Sequence, residues 1–421
     1  MPASRRALLA LLGLVASLVA GVSLALLQEN PMLFMTAAAL VLLLPMLWRR
    51  PIIGLYIVVG GAILFETFRL GFPDSLTDNV PFFHNMNAIG GPPWLLATPA
   101  ELLMALTLAI VILKRIAQRR KPLEAGPLIW AVSFYTFMVL FGLVRGVGTG
   151  GDMNIAFWEV RPQLYLFFTY LLVYNLVQDR GQAKGILWVF LAAVAVKGLI
   201  GTVRYLGTLQ GDLGLVVQVS RYNSILAHEE SFFFALFFTA LGILFLFRSS
   251  RSQAGFGLLV SLPVLIAFLA NQRRAGFLVL GIALVVVGLM AYTMVQRWRR
   301  PILTLAVVAA ILLPLYVVGM GKSTSVPAQP ARAIMSLFDP NERDAGSNNY
   351  RVLEATNLRY NIGLDPVLGR GYGKQIIHFL PMPSLAAIFA LWDIIPHNTI
   401  LWVWMRLGFI GFVAFWFLVG R

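Results

Sequence analysis

Arginines, one histidine and a few carboxylates stand at the ends of long apolar runs in this 421-residue chain. Glu159 and Arg161 precede one such run, and Arg204 closes the next. Arg221, His228, Glu229 and Glu230 open a third, Arg273 and Arg274 a fourth, and His397 the last. Ionisable groups are costly in hydrocarbon, so those that persist beside it usually face a cavity or a partner and are functional candidates. The plainer alternative for each is snorkelling, in which a basic side chain lays its stem on apolar surface and reaches headgroups.

Three of these positions suggest particular chemistry. Arg273 and Arg274 sit just before a helix expected to start near Ala275. A helix N-terminus turns free N–H groups and a positive dipole end outward, and two guanidiniums there could grip a phosphate or pyrophosphate. Bonding of both arginines to loop carboxylates is the alternative. Lys197 lies mid-run, with Gly201 and Arg204 on the same helical face, a stripe that would suit an anion in a cavity. A Lys–Glu or Lys–carbonyl structural pair is the competing reading. His397 follows Pro396 and precedes Asn398, and imidazole is the side chain best poised for proton transfer near neutral pH. Surrounding arginines would keep it neutral, as a base requires. Arg406 lies nine residues on, half a turn out of phase, and is expected on a different surface.

The elements that must carry these groups follow from composition. Apolar residues make up 59%, charged residues 12%, and mean hydropathy is +0.80. A soluble domain carries about 25% charged residues. A hydrocarbon core of about 30 Å needs roughly 20 apolar residues as helix. Twelve runs qualify: 7–27, 31–48, 51–66, 98–117, 126–146, 162–178, 185–208, 226–247, 255–271, 275–296, 301–320 and 396–420. No strand-like alternation recurs at barrel spacing. The expected class is all-α, a polytopic integral membrane protein of about twelve transmembrane helices. The first run follows Arg5 and Arg6 and is read as a signal anchor.

The short loops alternate in charge. One set, from Arg5 to Arg421, holds 17 basic and two acidic residues, and the rest of the chain holds 16 of each. The whole net charge of +15 thus lies on one side. The positive-inside rule makes that side cytoplasmic, with both termini inside. The basic excess is orientation signal and contact with membrane lipids, so nucleic acid is not an expected partner. There is no cysteine, hence no disulfide, thiolate metal site or cysteine nucleophile. No His/Asp/Glu cluster has metal-ligand spacing, and the glycine run Gly369 to Gly373 follows no strand, so neither metal nor nucleotide cofactor is expected.

The expected organisation is 1–320 as eleven spans with short loops, 321–395 as a large periplasmic loop, and 396–421 as the last span. A further outer connection covers 67–97. Within the large loop, Lys322 to Asn349 is rich in Ser, Pro, Asp and Asn and is expected to be mobile. Tyr350 to Arg359 reads as an amphipathic helix. Ile376 to Ile395 is apolar but broken by Pro381 and Pro383, which argues for a segment at the membrane interface.

This layout and three motifs resemble the O-antigen ligase and polymerase superfamily. "NQRRAGFLVL" is similar to the family's arginine opening a span, with Arg274 fitting best and Arg273 adjacent. "YRVLEATNLRYNIGLDPVLGRGYG" resembles its loop segment, where Arg351, Pro366, Gly369, Gly371 and Gly373 match. "HNTILWVWMRLGFIGF" resembles its closing motif, with His397, Asn398, Leu401, Gly408 and Gly411. A weaker likeness is "RYNSILAHEES", where the family has a His-Pro-Asn-like run and this chain has His228, Glu229 and Glu230. The motif likeness covers about residues 215–421.

The resemblance implies a GT-C-like, metal-independent inverting glycosyltransferase of the bacterial inner membrane, with its active site periplasmic. It implies a donor glycan on undecaprenyl pyrophosphate and a sugar hydroxyl of lipid A–core as acceptor. His397 would be the base. Arg221, Arg273, Arg274, Lys197, Arg204 and Arg161 would serve the donor pyrophosphate. Tyr350, Arg351, His228, Glu229 and Glu230 would serve the loop and acceptor. A polymerase joining two lipid-linked glycans, a transporter of a lipid-linked anion, and a structural membrane subunit are the competing readings. A transporter would spread charge through the membrane depth, whereas here only Lys197 and Arg406 are deep.

Overall fold

The computed structural model describes residues 17, 30–66, 77, 79–220, 224–247, 250–340, 342–387, 389 and 391–421. The first expected span, 7–27, lies outside the described residues apart from Ser17, and so does Arg221. Among the described residues every helical run expected from hydropathy is a helix, and there is no strand. In order these are α1 (Pro31–Arg49), α2 (Ile52–Leu64), α3 (Pro99–Ala117), α4 (Ile129–Gly148), α5 (Met153–Leu176), α6 (Arg180–Val203) and α7 (His228–Phe247). There follow α8 (Arg251–Ala270), α9 (Arg274–Met294), α10 (Arg299–Met320), α11 (Gln329–Met335), α12 (Glu342–Leu364) and α13 (Thr399–Gly420). Eight helices are long and apolar enough to cross a membrane by themselves, counted among the described residues. Helix α2 is apolar but short, and α3 and α5 fall outside that set.

Local signals set the ends. Thr98 and Glu101 form a capping box at the start of α3, and Asp179 and Gln182 form another at α6. Lys114 in the last turn of α3 reaches the Trp48 carbonyl at 3.0 Å, placing a cation where a helix C-terminus favours one. Helix α6 leaves α-geometry at Arg204 and runs on as a π-turn through Thr208.

Two compact units are distinguishable. The first takes the described residues within Met1–Arg120 and Leu176–Met335. Apolar side chains in membrane helices have no hydrophobic drive to pair, so close backbone approach at small residues supplies packing instead. Gly198 of α6 shows this: a Cβ there would lie 2.9 Å from the Val264 backbone of α8. The buried core includes Leu191, Val194, Phe234, Phe237, Val264 and Phe268. Helix α10 buries none of its residues within the chain, as a lipid-facing span would.

The second unit takes Lys121–Asn175 and Ser336–Arg421, with α4, α5, α12 and α13. Its core joins Tyr135, Val139, Val160, Leu358, Tyr372 and Trp402. The stretch Lys322 to Asn349, expected to be mobile, instead carries α11 and the start of α12. The amphipathic helix expected over 350–359 is longer than expected in both directions. Ile376 to Ile395 forms no long helix among its described residues, as its two prolines foretold.

Helix α13 is broken at its middle. Gly408 has φ 65° and ψ −172°, a combination essentially limited to glycine. The break frees the Met405 and Arg406 carbonyls, which accept from the N–H groups of Arg370 (2.8 Å) and Gly371 (3.0 Å). In return Phe409 N–H donates to the Pro366 carbonyl at 2.8 Å. The glycine-rich turn is thus laced into the last span, and irregular backbone at that depth survives because protein satisfies its polar groups. A Cβ on Gly408 would lie 2.1 Å from the Val367 carbonyl oxygen. Gly408→Ala is therefore expected to lose about 1–3 kcal/mol from backbone strain alone, plus the clash. The check is the thermal unfolding midpoint in detergent, with Gly420→Ala, which meets nothing within 4 Å, expected to behave as wild type.

Candidate active site

The second unit builds its polar centre on one face of α12. Glu354, Asn357, Leu358, Asn361 and Ile362 are buried, the spacing of a single helical stripe. Three of the five are polar and each holds a piece of irregular backbone. Asn361 donates to the Ile377 carbonyl (2.7 Å) and accepts from its N–H (3.0 Å). Asn357 treats Leu380 the same way, at 2.9 and 2.7 Å. These two-point contacts satisfy extended backbone that has no strand partner.

Glu354 makes the third two-point contact, with His397. One carboxylate oxygen accepts from the His397 backbone N–H at 3.0 Å, and the other lies 3.0 Å from Nδ1. A carboxylate only accepts, so this contact is a hydrogen bond when Nδ1 carries the proton, the tautomer that leaves Nε2 as the acceptor nitrogen of a neutral ring. The exposures are opposite: 5% for the Glu354 side chain and 51% for His397. Asn398 caps α13 by accepting from Leu401 N–H at 3.1 Å, which fixes the backbone next to the imidazole. Tyr350, one turn before Glu354, meets the imidazole edge-on with ring centroids 5.7 Å apart. Burial and then the Glu354 charge push its phenol up to about 12, so at neutral pH it holds its proton. A cleft of about 460 Å³ opens here, lined by Gly346, Ser347, Tyr350, Arg351, Pro383, Leu385 and His397 among others.

The arginine-rich setting expected for His397 is thus corrected in one respect. Its direct partner is a carboxylate, and Arg351 is a fellow lining residue of the cleft. Glu354 escaped the sequence reading because no apolar run flags it. The signal that could have found it is its place on the 354/357/361 polar stripe.

Behind the cleft the second unit is locked by Arg406 and Glu159, both fully buried at the side chain. Arg406 Nε donates to Glu159 at 2.7 Å, and its two Nη atoms donate to the carbonyls of Gly371 (3.2 Å) and Ile394 (3.0 Å). Glu159 also accepts from Gly373 N–H (2.6 Å) and Trp402 Nε1 (3.2 Å). Arg161, named as a donor-binding candidate, is buried with its guanidinium over the Trp158 ring at 5.5 Å.

The first unit holds the other candidates. Arg273 caps α9 with extended backbone and no side-chain acceptor, and Arg274 is the first helical residue. The hairpin before them is tight: Gln272 adopts φ 55°, and buried Asn271 bonds Leu226 N–H, the Ala227 carbonyl and Ser231 Oγ. Arg273 Nη2 donates to Ser224 Oγ at 2.6 Å. Both arginines are half-buried. Lys197 does not line open space. It is buried against the Glu66 and Glu230 carboxylates, the latter at 3.2 Å. The neighbouring Gly201 is packed on Ala267 and Leu226. Arg204 is buried too and donates to the Ile225 carbonyl at 3.1 Å. The Lys–Glu pair anticipated as the alternative is what the structure shows. His228 and Glu229 are exposed in the first turn of α7, and Glu230 is buried.

The fold and this site define a polytopic all-α membrane protein with a histidine–carboxylate pair in an open cleft. Residues 256–416 match the family model described as O-antigen ligase. Over 315 residues the chain is 26% identical to an O-antigen ligase of Salmonella typhimurium, covering 72% of each chain. No solved structure matches. The chain is thus similar to O-antigen ligases, in agreement with the resemblance drawn from its motifs.

Proposed function

We propose that the protein is a metal-independent inverting glycosyltransferase that moves a glycan from undecaprenyl pyrophosphate to a sugar hydroxyl of lipid A–core. The observation that carries the reading is His397, half-exposed in a cleft with Nδ1 held by a buried carboxylate. A sugar hydroxyl is a poor nucleophile until a base takes its proton. His397 Nε2 accepts that proton as the acceptor oxygen bonds to the anomeric carbon. The bond from that carbon to the pyrophosphate oxygen breaks, and undecaprenyl pyrophosphate leaves as an anion. In-line displacement inverts the anomeric centre. Charge that develops on the leaving group calls for preorganised cations and N–H donors. The motif resemblance assigns that role to Arg273 and Arg274, which stand at the start of α9. Arg221 is assigned with them from its sequence position. Lys197, Arg204 and Arg161 are committed to internal partners and act as structure. Tyr350 and Arg351 line the acceptor cleft. The charge asymmetry of the loops supports an inner-membrane location with the cleft periplasmic.

The test mixes purified protein, undecaprenyl-pyrophosphate glycan and lipid A–core in the presence of EDTA. Glycosylated lipid A–core is the expected product. Longer lipid-linked glycan with untouched lipid A–core would make the protein a polymerase. Intact donor with no transfer to either acceptor would sink the enzyme reading and favour a transporter.

A further inference from the structure

We infer that Glu354 is the positioning residue of the base: it fixes His397 as the Nδ1–H tautomer and fastens the base to the helix that lines the cleft. The inference deepens the glycosyl-transfer reading and rests on it for its kinetic arm only.

The geometry is more specific than an ion pair requires. A carboxylate placed merely to neutralise charge needs one contact, and a rotating side chain supplies it. Here both oxygens are committed to one residue, one to ring Nδ1 and one to the backbone N–H of the same His397. The two bonds fix where the backbone sits and how the ring is turned. The carboxylate is buried and the ring is half open, and with Nδ1 engaged the ring nitrogen outside the pair is Nε2. Loss of an orienting acceptor lets a histidine take the other tautomer, whose Nε2–H cannot accept a proton.

The anchor also has a mechanical basis. Glu354 shares its buried stripe with Asn357 and Asn361, which pin Leu380 and Ile377. Tyr350 and Arg351 of the same helix, and Pro383 beyond Leu380, line the cleft. Seating α12 therefore sets base and cleft wall together. Tyr350, Arg351 and Leu353 line the cleft from α12, and Asn398 caps α13 next to the base.

Two measurements test it. The chain has four histidines, so ¹⁵N-histidine labelling in lipid nanodiscs gives a countable spectrum. With His397→Gln used to assign the signal, wild type is expected to show protonated Nδ1 and bare Nε2 in the neutral ring. Protonated Nε2 in wild type would overturn the inference without any active-site variant. Glu354→Gln keeps the shape and the bond accepted from the His397 backbone N–H, but its amide NH2 presents a donor to Nδ1 in place of an acceptor. It is expected to shift the signal toward Nε2–H and to lower kcat by about 10²–10⁴-fold with KM for the donor glycan unchanged. A purely structural glutamate would move neither the tautomer nor kcat apart from KM. Full activity and an unchanged tautomer in folded Glu354→Gln would refute the positioning role and leave the base reading intact. If His397→Ala itself keeps full activity, the transfer reading fails, while the wild-type spectrum still decides the tautomer.

Discussion

His397→Ala is expected to lower transfer to lipid A–core by about 10²–10⁴-fold, the usual contribution of a positioned general base. The loss should fall on kcat, because the imidazole acts on a proton that moves only in the transition state. The half-exposed ring carries little of the core, so the unfolding midpoint should stay within a few degrees of wild type. What it leaves behind is a buried Glu354 without its ring partner, and the backbone N–H of residue 397 still bonds one of its oxygens. Steady-state kinetics with saturating donor, read beside a melting curve, checks both halves. A variant with wild-type kcat would remove His397 from the chemistry. A variant that melts early and loses kcat only in proportion would make the histidine a strut.

The second large effect belongs to stability. Arg406→Ala is expected to cost about 3–5 kcal/mol, the price of stranding a buried carboxylate by deleting its partner. Three backbone and side-chain acceptors lose their donor at once: Glu159, the Gly371 carbonyl and the Ile394 carbonyl. Ile394 lies just ahead of His397, so the damage should also loosen the approach to the base. Arg406→Lys should recover only part of the loss, because an ammonium on a flexible stem cannot reproduce the planar fork. The double variant Glu159→Ala with Arg406→Ala should cost less than the two singles added together, since the stranded charge is gone. Denaturant unfolding in detergent measures all four proteins. Additive single effects would show that the two side chains act independently.

Hydropathy alone located every described membrane-length helix, because a run of about 20 apolar residues has one stable way to satisfy its backbone in lipid. The residue types singled out His397, which lies in the cleft, and Arg273 and Arg274, which open α9. What the sequence hid is pairing at long range. Glu354 sits 43 residues from His397 and Glu159 sits 247 from Arg406. No local average reports such partners. Lys197 read equally well as an anion ligand or a paired core lysine, and only the approach of Glu66 and Glu230 decided it. The loop between Lys322 and Asn349 looked mobile by composition because Ser, Asp and Asn are poor helix formers on propensity. The start of α12 is helical all the same, continuous with the buried stripe that begins at Glu354.

By itself the sequence determined the solvent of this protein, its all-helical class and the short list of groups able to do chemistry. These are properties of residues taken singly or at helical spacing, where the cost of burying a charge or an unbonded peptide leaves few choices. The tertiary structure decided which of those groups are free to act. It buried Arg406, Lys197 and Arg204 among internal acceptors, broke the last helix at Gly408 to admit a glycine turn, and gave His397 its carboxylate. Such choices depend on which carbonyl or carboxylate arrives within about 3 Å of a donor, and folding alone sets that distance.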